Sequence, residues 1–110
     1  RVIITTDHGT ICTRKPYKIV GDKDTNSNLR YKQGRKLSYD KKYVFEVLKP
    51  ENYFLPKPNI STSYVFATED YFFAYPNNYN HYVNYYKDTF QHGGVSLEEV
   101  IVPFIKLKAK

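Results

Sequence analysis

The chain has 110 residues, a formal net charge of +6 and a hydrophobic content of 41%. This length suits one domain with a small core and is too short for two. The single cysteine, Cys12, excludes an internal disulfide, and no apolar run approaches the roughly 20 residues that a membrane span requires. We therefore expect a cytoplasmic protein without a membrane partner. Because the chain starts at Arg1 directly on a strand-like run, we expect it to be a piece of a longer protein.

The excess of Lys and Arg favours a polyanionic partner, although a solvated basic surface has the same composition. The stretch of residues 29–36 concentrates these charges, and Arg30 and Lys32 are its candidate substrate-binding residues. A solvated loop is the alternative there. Most of the 12 tyrosines fall between residues 64 and 86, where they suit either base stacking or half-buried strand faces.

A β-branched run at residues 2–6 predicts the first strand, and Asp7-His8-Gly9 follows it directly. Open α/β sheets place their ligands at the carboxyl ends of strands. Asp and His side chains are ligands for divalent metals such as zinc. Because neighbours on a strand point to opposite faces, the chain must bend for both to reach one ion, and Gly9 permits that bend. Cys12 is either a fourth ligand or a buried structural thiol.

The middle of the chain carries mixed signals. A short strand is predicted at residues 17–20. Asp40 predicts a helix over residues 41–48, which Pro50 ends. Two β runs at residues 63–67 and 70–74 predict a hairpin. Residues 80–90 suit strand and helix equally.

The C-terminal part begins with a glycine loop that contains His92-Gly93-Gly94. The glycines allow close approach to His92, which makes it a further candidate metal ligand. Ser96 followed by Glu98 and Glu99 predicts a helix of one or two turns. A final strand is predicted over residues 100–107, where Pro103 indicates an edge or a bulge.

These motifs together resemble a known family. Asp7-His8-Gly9 after a strand, with a later His-Gly-Gly, is similar to the C-terminal half of the alkaline phosphatase superfamily. The stretch of residues 91–103, read as Gln-His-Gly-Gly-Val-Ser-Leu-Glu-Glu-Val-Ile-Val-Pro, resembles its PglZ branch. Residues 21–34 and 64–79 resemble PorX-type response regulators of Bacteroidetes, in which a phosphate-receiver domain and a helical linker precede a PglZ domain.

The resemblance implies an α/β fold, with residues 1–110 as the C-terminal part of a PglZ-type domain. The implied architecture is an alkaline-phosphatase-like α/β/α sandwich, with residues 2–6 and 100–107 in its main sheet. Residues 20–90, approximately, would form a family-specific insertion rich in β structure. Upstream receiver and linker domains are expected outside this chain. We also expect association with a second copy as a homodimer, because a partial sandwich leaves apolar surface exposed.

The resemblance further implies a site with two zinc ions that cleaves phosphate esters. Asp7 and His8 would hold the ion that binds the nucleophile, and His92 would hold the other. The Thr or Ser nucleophile and the remaining ligands are expected upstream, so this chain carries no catalytic nucleophile. We therefore expect the isolated piece to bind metal weakly and to be inactive.

Three functions follow as alternatives. The first is a response regulator whose output domain is a zinc-dependent phosphodiesterase or phosphatase that acts on a nucleotide or an oligonucleotide. The second is a non-catalytic regulatory module that binds a sigma factor or secretion machinery. The third is a Tyr-rich nucleic-acid binder without chemistry, whose affinity would fall steeply with salt.

Overall fold

A computed structural model describes residues 1–22 and 25–110. Within these residues the chain forms nine short strands, two short α-helices and two 3-10 helices, Lys41–Tyr43 and Pro50–Tyr53. Their bounds are β1 (Val2–Thr5), β2 (Ile11–Thr13), β3 (Lys15–Lys18), β4 (Tyr31–Gly34), β5 (Val44–Val47), β6 (Ser63–Ala67), β7 (Tyr71–Ala74), α1 (Tyr79–Tyr86), β8 (Thr89–Gln91), α2 (Leu97–Val100) and β9 (Phe104–Leu107). This mixture confirms the α/β class.

The two ends of the chain form a ribbon of their own. Strand β1 pairs antiparallel with β9, so that Val2 lies opposite Leu107 and Thr5 opposite Phe104. Strand β9 begins only after Pro103, which lacks the N–H that a ladder needs, and is therefore shorter than predicted. The neighbours Ile3 and Ile4, which point to opposite faces, are 51% and 49% exposed. The ribbon therefore presents apolar side chains on both faces.

The remaining strands surround a small core. Strand β2 pairs antiparallel with β8, and β3 pairs parallel with β7. Strand β6 lies between β4 and β5 in an antiparallel sheet. The core is formed by apolar side chains of β6, β7 and the segment after β3, namely Ile19, Val65, Ala67 and Phe73. The radius of gyration is 16.4 Å, against about 13 Å for a compact domain of this length. The chain is accordingly elongated.

The predicted helix over residues 41–48 is wrong. Asp40 does cap a turn, since the Lys42 N–H donates to its Oδ1 at 3.0 Å. That turn is a 3-10 helix of three residues, Lys41–Tyr43, and the chain then enters β5. The β-branched Val44 and Val47 pair with β6, and this pairing outweighs the local helical spacing.

The predicted hairpin of residues 63–67 and 70–74 is also wrong, although both strands exist. Strands β4 and β5 occupy both edges of β6, so no edge is left for β7. The chain turns at Glu69, whose φ is 47°, and β7 instead pairs parallel with β3. The partner of β7 thus depends on which strand edges are free, and the local sequence does not show this.

The ambiguous residues 80–90 contain both a helix and a strand, because α1 ends at Tyr86 and β8 begins at Thr89. The short strand predicted at residues 17–20 lies slightly earlier, as β3. Among the described residues, no helix is long and apolar enough to cross a membrane.

Candidate metal centre

The topology brings the two histidine motifs together. Residues 6–10 connect β1 to β2, and residues 92–103 connect β8 to β9. Because β1 pairs with β9 and β2 pairs with β8, both connections run between the same two ladders. Ile11 lies opposite Gln91 at the end of the second ladder, so the chain before Ile11 and the chain after Gln91 leave it side by side.

His8 and His92 meet at this junction. Their rings are stacked, with centroids 3.7 Å apart and planes inclined by 15°. Asp7 lies beside them, with its Oδ1 at 3.6 Å from Nε2 of His8. The side chain of His8 is 38% exposed and that of Asp7 is 91% exposed. His8 thus contacts both Asp7 and His92, at a junction that opens to solvent.

A backbone contact orients the ring of His8. Its Nδ1 lies 2.7 Å from the carbonyl oxygen of Gly9. A carbonyl only accepts hydrogen bonds, so this contact favours the tautomer that carries its proton on Nδ1. In that tautomer Nε2, which faces Asp7, is the ring nitrogen that could bind a metal ion. A ligating histidine is commonly fixed in this way by a carbonyl on its other nitrogen.

These donors fit part of a zinc site. Two ligand atoms of a tetrahedral zinc ion lie about 3.3 Å apart, close to the observed separation between Asp7 and His8. Lone pairs of imidazole lie in the ring plane, so two stacked rings do not converge on one ion. Among the described residues, no three His, Cys, Asp or Glu side chains are grouped so as to hold a metal by themselves.

Gly9 is required for the contact between the two connections. Its N–H donates to the carbonyl oxygen of Glu99 at 2.8 Å. A Cβ added to Gly9 would lie 1.9 Å from the carbonyl oxygen of Glu98. The backbone beside His8 thus lies against helix α2, at a distance that only glycine permits.

The carboxylate of Glu99 organises the His92 loop. It accepts hydrogen bonds from the Gly94 N–H at 2.9 Å and from the Ser96 N–H and hydroxyl at 3.1 Å and 2.7 Å. Arg30 donates two bonds of 2.9 Å to the same carboxylate. Burial raises the pKa of Glu99, but the bonds from Arg30, Ser96 and Gly94 outweigh it, so the net pKa is lowered. Glu99 is therefore an ionised, fully paired carboxylate.

Arg30 is not at the surface, where a substrate-binding residue was expected. Its side chain is 0% exposed, and it also donates to the carbonyl oxygen of Tyr71. The guanidinium group of Arg30 therefore has hydrogen-bond partners inside the protein and does not need a bound phosphate to pair its charge. The predicted helix start at Ser96 is confirmed, and its capping box pointed to Glu99. Sequence reasoning missed Arg30 as the partner of Glu99, because the two residues are far apart in the chain.

Lys32 is also internal, with 1% of its surface exposed. Its Nζ donates to the carbonyl oxygen of Asn26 at 3.0 Å and lies 4.6 Å from the centre of the Tyr75 ring. Burial lowers the pKa of Lys32 to about 8. The ammonium group is thus held inside the protein at a cost, rather than offered to a substrate.

We expect Lys32→Met to stabilise the protein at pH 7 by on the order of 2 kcal/mol, because the gain from removing a buried charge exceeds the loss of one hydrogen bond. Between about pH 8 and pH 10.4 the unfolded protein binds more protons at this position than the folded one does. The wild-type free energy of unfolding should therefore rise with pH, relative to the variant, across that window.

The measurement is urea denaturation of both proteins at pH 7 and pH 10. Lys36→Met serves as the control, because Lys36 is an exposed lysine of the same basic stretch. A difference between wild type and Lys32→Met that stays constant with pH would contradict the burial argument.

Cys12 and His81 are two further side chains of a type that can bind metal ions. Cys12 is half-buried in β2, opposite Phe90, and is a free thiol. His81 lies on α1, where it is exposed and contacts the ring of Tyr82 with centroids 5.1 Å apart. His81 is thus a surface histidine.

Comparison with known families identifies a matching family model. Residues 1–107 match the family model described as the BREX system PglZ alkaline phosphatase-like domain. No curated protein matched the chain. The matched range includes both histidine motifs and all of the strands and helices described above.

Proposed function

The chain belongs to the PglZ family of alkaline phosphatase-like domains, and from that premise we propose that it supplies part of a zinc-dependent phosphoesterase site. In this proposal the full-length protein is a phosphodiesterase or phosphatase that cleaves a phosphate ester such as a nucleotide or an oligonucleotide. The observation that carries the proposal is the stack of His8 on His92, beside Asp7, at the junction of two connections from opposite ends of the chain.

Asp7 and His8 hold one zinc ion in this proposal, and His92 holds the second. The Nε2 of His8 and the Oδ1 of Asp7 are 3.6 Å apart, which supports their sharing one ion. The near-parallel ring of His92 supports its assignment to the other. When bound, a pair of zinc ions activates an oxygen nucleophile and neutralises charge on a transferring phosphoryl group. The Thr or Ser nucleophile and the further ligands belong to the preceding part of the domain.

We propose that the β1–β9 ribbon belongs to the main sheet of an α/β/α sandwich. Its apolar side chains are exposed on both faces, as expected of a strand pair that the rest of a doubly covered sheet would bury. Residues 20–90, approximately, are the β-rich insertion of this sandwich. In the isolated piece, which lacks the rest of that sheet, the exposed ribbon is the surface on which a homodimer would form.

The finer assignment is to a response regulator of the PorX type. It is supported by the resemblance of residues 21–34 and 64–79 to such proteins. In this assignment a receiver domain and a linker precede the PglZ domain and control its activity. A sigma factor or secretion machinery would be the downstream partner.

One observation favours the non-catalytic alternative. The described residues include no group of three side chains able to hold a metal by themselves, so the site depends on ligands from elsewhere. If those ligands were absent in the full-length protein, the domain would act by binding its partner.

The test is the metal content of the full-length protein by elemental mass spectrometry, together with hydrolysis of a chromogenic aryl phosphodiester. We expect about two zinc ions per chain in the wild type. His92→Ala should lower the zinc content and abolish hydrolysis, because one ion loses a ligand, while the circular dichroism spectrum remains that of the folded protein.

His81→Ala is the matched control, since it removes an exposed histidine whose ring contacts those of Tyr82 and Tyr85 on α1. It should leave both zinc content and hydrolysis unchanged. A folded wild-type protein without zinc would overturn the catalytic proposal and favour the interaction module.

A further inference from the structure

Glu99 contacts both of the connections that carry the candidate metal ligands. Its main-chain carbonyl accepts the Gly9 N–H at 2.8 Å, one residue after His8. Its side-chain Oε1 accepts the Gly94 N–H at 2.9 Å, two residues after His92. One residue thus holds the His8 loop through its backbone and the His92 loop through its carboxylate.

Arg30 fixes the carboxylate in place. Its Nε and Nη2 donate to the two oxygens of Glu99 at 2.9 Å each, which is the bidentate geometry that a guanidinium fork favours. The side chains are 0% and 2% exposed, so neither moves freely into solvent. The Arg30 backbone N–H is in turn held by Oδ1 of Asn28 at 2.7 Å. The pair of Arg30 and Glu99 therefore connects the proposed β-rich insertion with the two connections that carry His8 and His92.

The close packing of Gly94 shows how tightly this arrangement surrounds the His92 loop. A Cβ added to Gly94 would lie 2.7 Å from Oε2 of Glu99 and 2.8 Å from Nε of Arg30. The backbone of the His-Gly-Gly motif thus packs directly against the Arg30–Glu99 ion pair.

We propose that Glu99, anchored by Arg30, is a positioning residue that sets the place of His92 opposite His8. This inference rests on the proposed zinc site and adds a partner that acts through His92 rather than on the metal. Outer contacts of this kind commonly change metal affinity by about 10- to 100-fold. Glu99→Gln keeps the shape of the side chain but replaces an accepting oxygen by an amide N–H₂, which cannot accept from Arg30, Gly94 or Ser96.

The experiment is a cobalt(II) titration of the full-length protein, followed by the visible absorption of the bound ion. We expect Glu99→Gln to weaken the binding that depends on His92 by about 10- to 100-fold and to change its spectrum, because the ligand geometry changes. Glu98→Gln is the matched control. It makes the same chemical change one residue earlier in α2, on an exposed side chain, and should leave the titration unchanged.

A double-mutant cycle separates positioning from general loss of stability. In a His92→Ala background, Glu99→Gln should have no further effect on cobalt affinity, because the ligand through which it acts is gone. Equal weakening in both backgrounds, or no weakening in the first, would overturn the inference while leaving the zinc site intact. A folded wild-type protein that binds no cobalt would instead overturn the proposed function, and the inference with it.

Ser96→Ala provides the test if Glu99→Gln does not fold. It removes the 2.7 Å bond from the Ser96 hydroxyl to Oε2 but leaves the ion pair in place. We expect a smaller weakening of cobalt binding, by a few-fold, that again vanishes in the His92→Ala background. Unchanged binding in this variant would overturn the inference.

Discussion

Replacing Gly9 by alanine is expected to destabilise the protein by about 3 kcal/mol. The new Cβ would lie 1.9 Å from the carbonyl oxygen of Glu98 and 3.3 Å from that of Ile101. Both are backbone atoms, so no side-chain rotation relieves the clash. Either α2 moves or the bond from the Gly9 N–H to Glu99 breaks, and in both cases the two histidine loops separate. Urea denaturation gives the stability change, and the zinc content of the full-length protein, where the proposed site would be complete, reports the separation.

Gly34→Ala is the matched control for this prediction. A Cβ at Gly34 would meet Oγ1 of Thr25 at 2.9 Å and Cδ2 of Leu37 at 3.2 Å, both of them side-chain atoms that can rotate away. We expect a change of about 1 kcal/mol or less, with zinc content unchanged. Equal stability of the Gly9 and Gly34 variants would mean that the approach of Gly9 to α2 is not required.

Arg30→Met is expected to cost about 3–5 kcal/mol, because it leaves the carboxylate of Glu99 buried without its cation. Glu99→Leu should cost a similar amount for the converse reason. The double variant should cost much less than the sum of the two, since an apolar pair leaves no unpaired charge in the interior. Urea denaturation of the four proteins gives the interaction energy. Strictly additive costs would show that the two side chains do not stabilise each other.

The pH dependence of the same proteins gives an independent check. The pKa of Glu99 is lowered in the folded protein, against about 4.3 for an unfolded glutamate. In acid the unfolded protein therefore binds more protons at this position than the folded protein does. The advantage of the wild type over the double variant should be complete above about pH 4.3 and should be lost as the pH falls through the lowered pKa of Glu99.

Local sequence predicted those features that depend on neighbouring residues alone. The first strand and the helix start at Ser96 are present, and Asp40 caps a turn although the helix predicted after it does not form. Each is decided by β-branched side chains or by a cap within a few residues. The motif around His92 also predicted a PglZ domain, which the family match confirms.

Strand partners and buried charges were not predictable in the same way. Residues 44–47 form a strand because they pair with an edge of β6, and β7 pairs with β3 because both edges of β6 are already paired. Arg30 and Lys32 were expected to meet a substrate, because a basic stretch usually faces solvent. Whether such a side chain is buried depends on partners that lie elsewhere in the chain, such as Glu99 for Arg30 and Tyr75 for Lys32.

The sequence by itself determined the family of this protein and the identity of its candidate metal ligands. Asp7, His8 and His92 were recognisable because metal-ligating side chains next to glycine form short contiguous motifs. Only the tertiary structure decided that these motifs meet, and that Glu99 with Arg30 holds them together. The physical reason is that the ability to bind a metal depends on the chemistry of one side chain. The position of that side chain in space depends instead on all of the strand pairings and buried ion pairs of the fold.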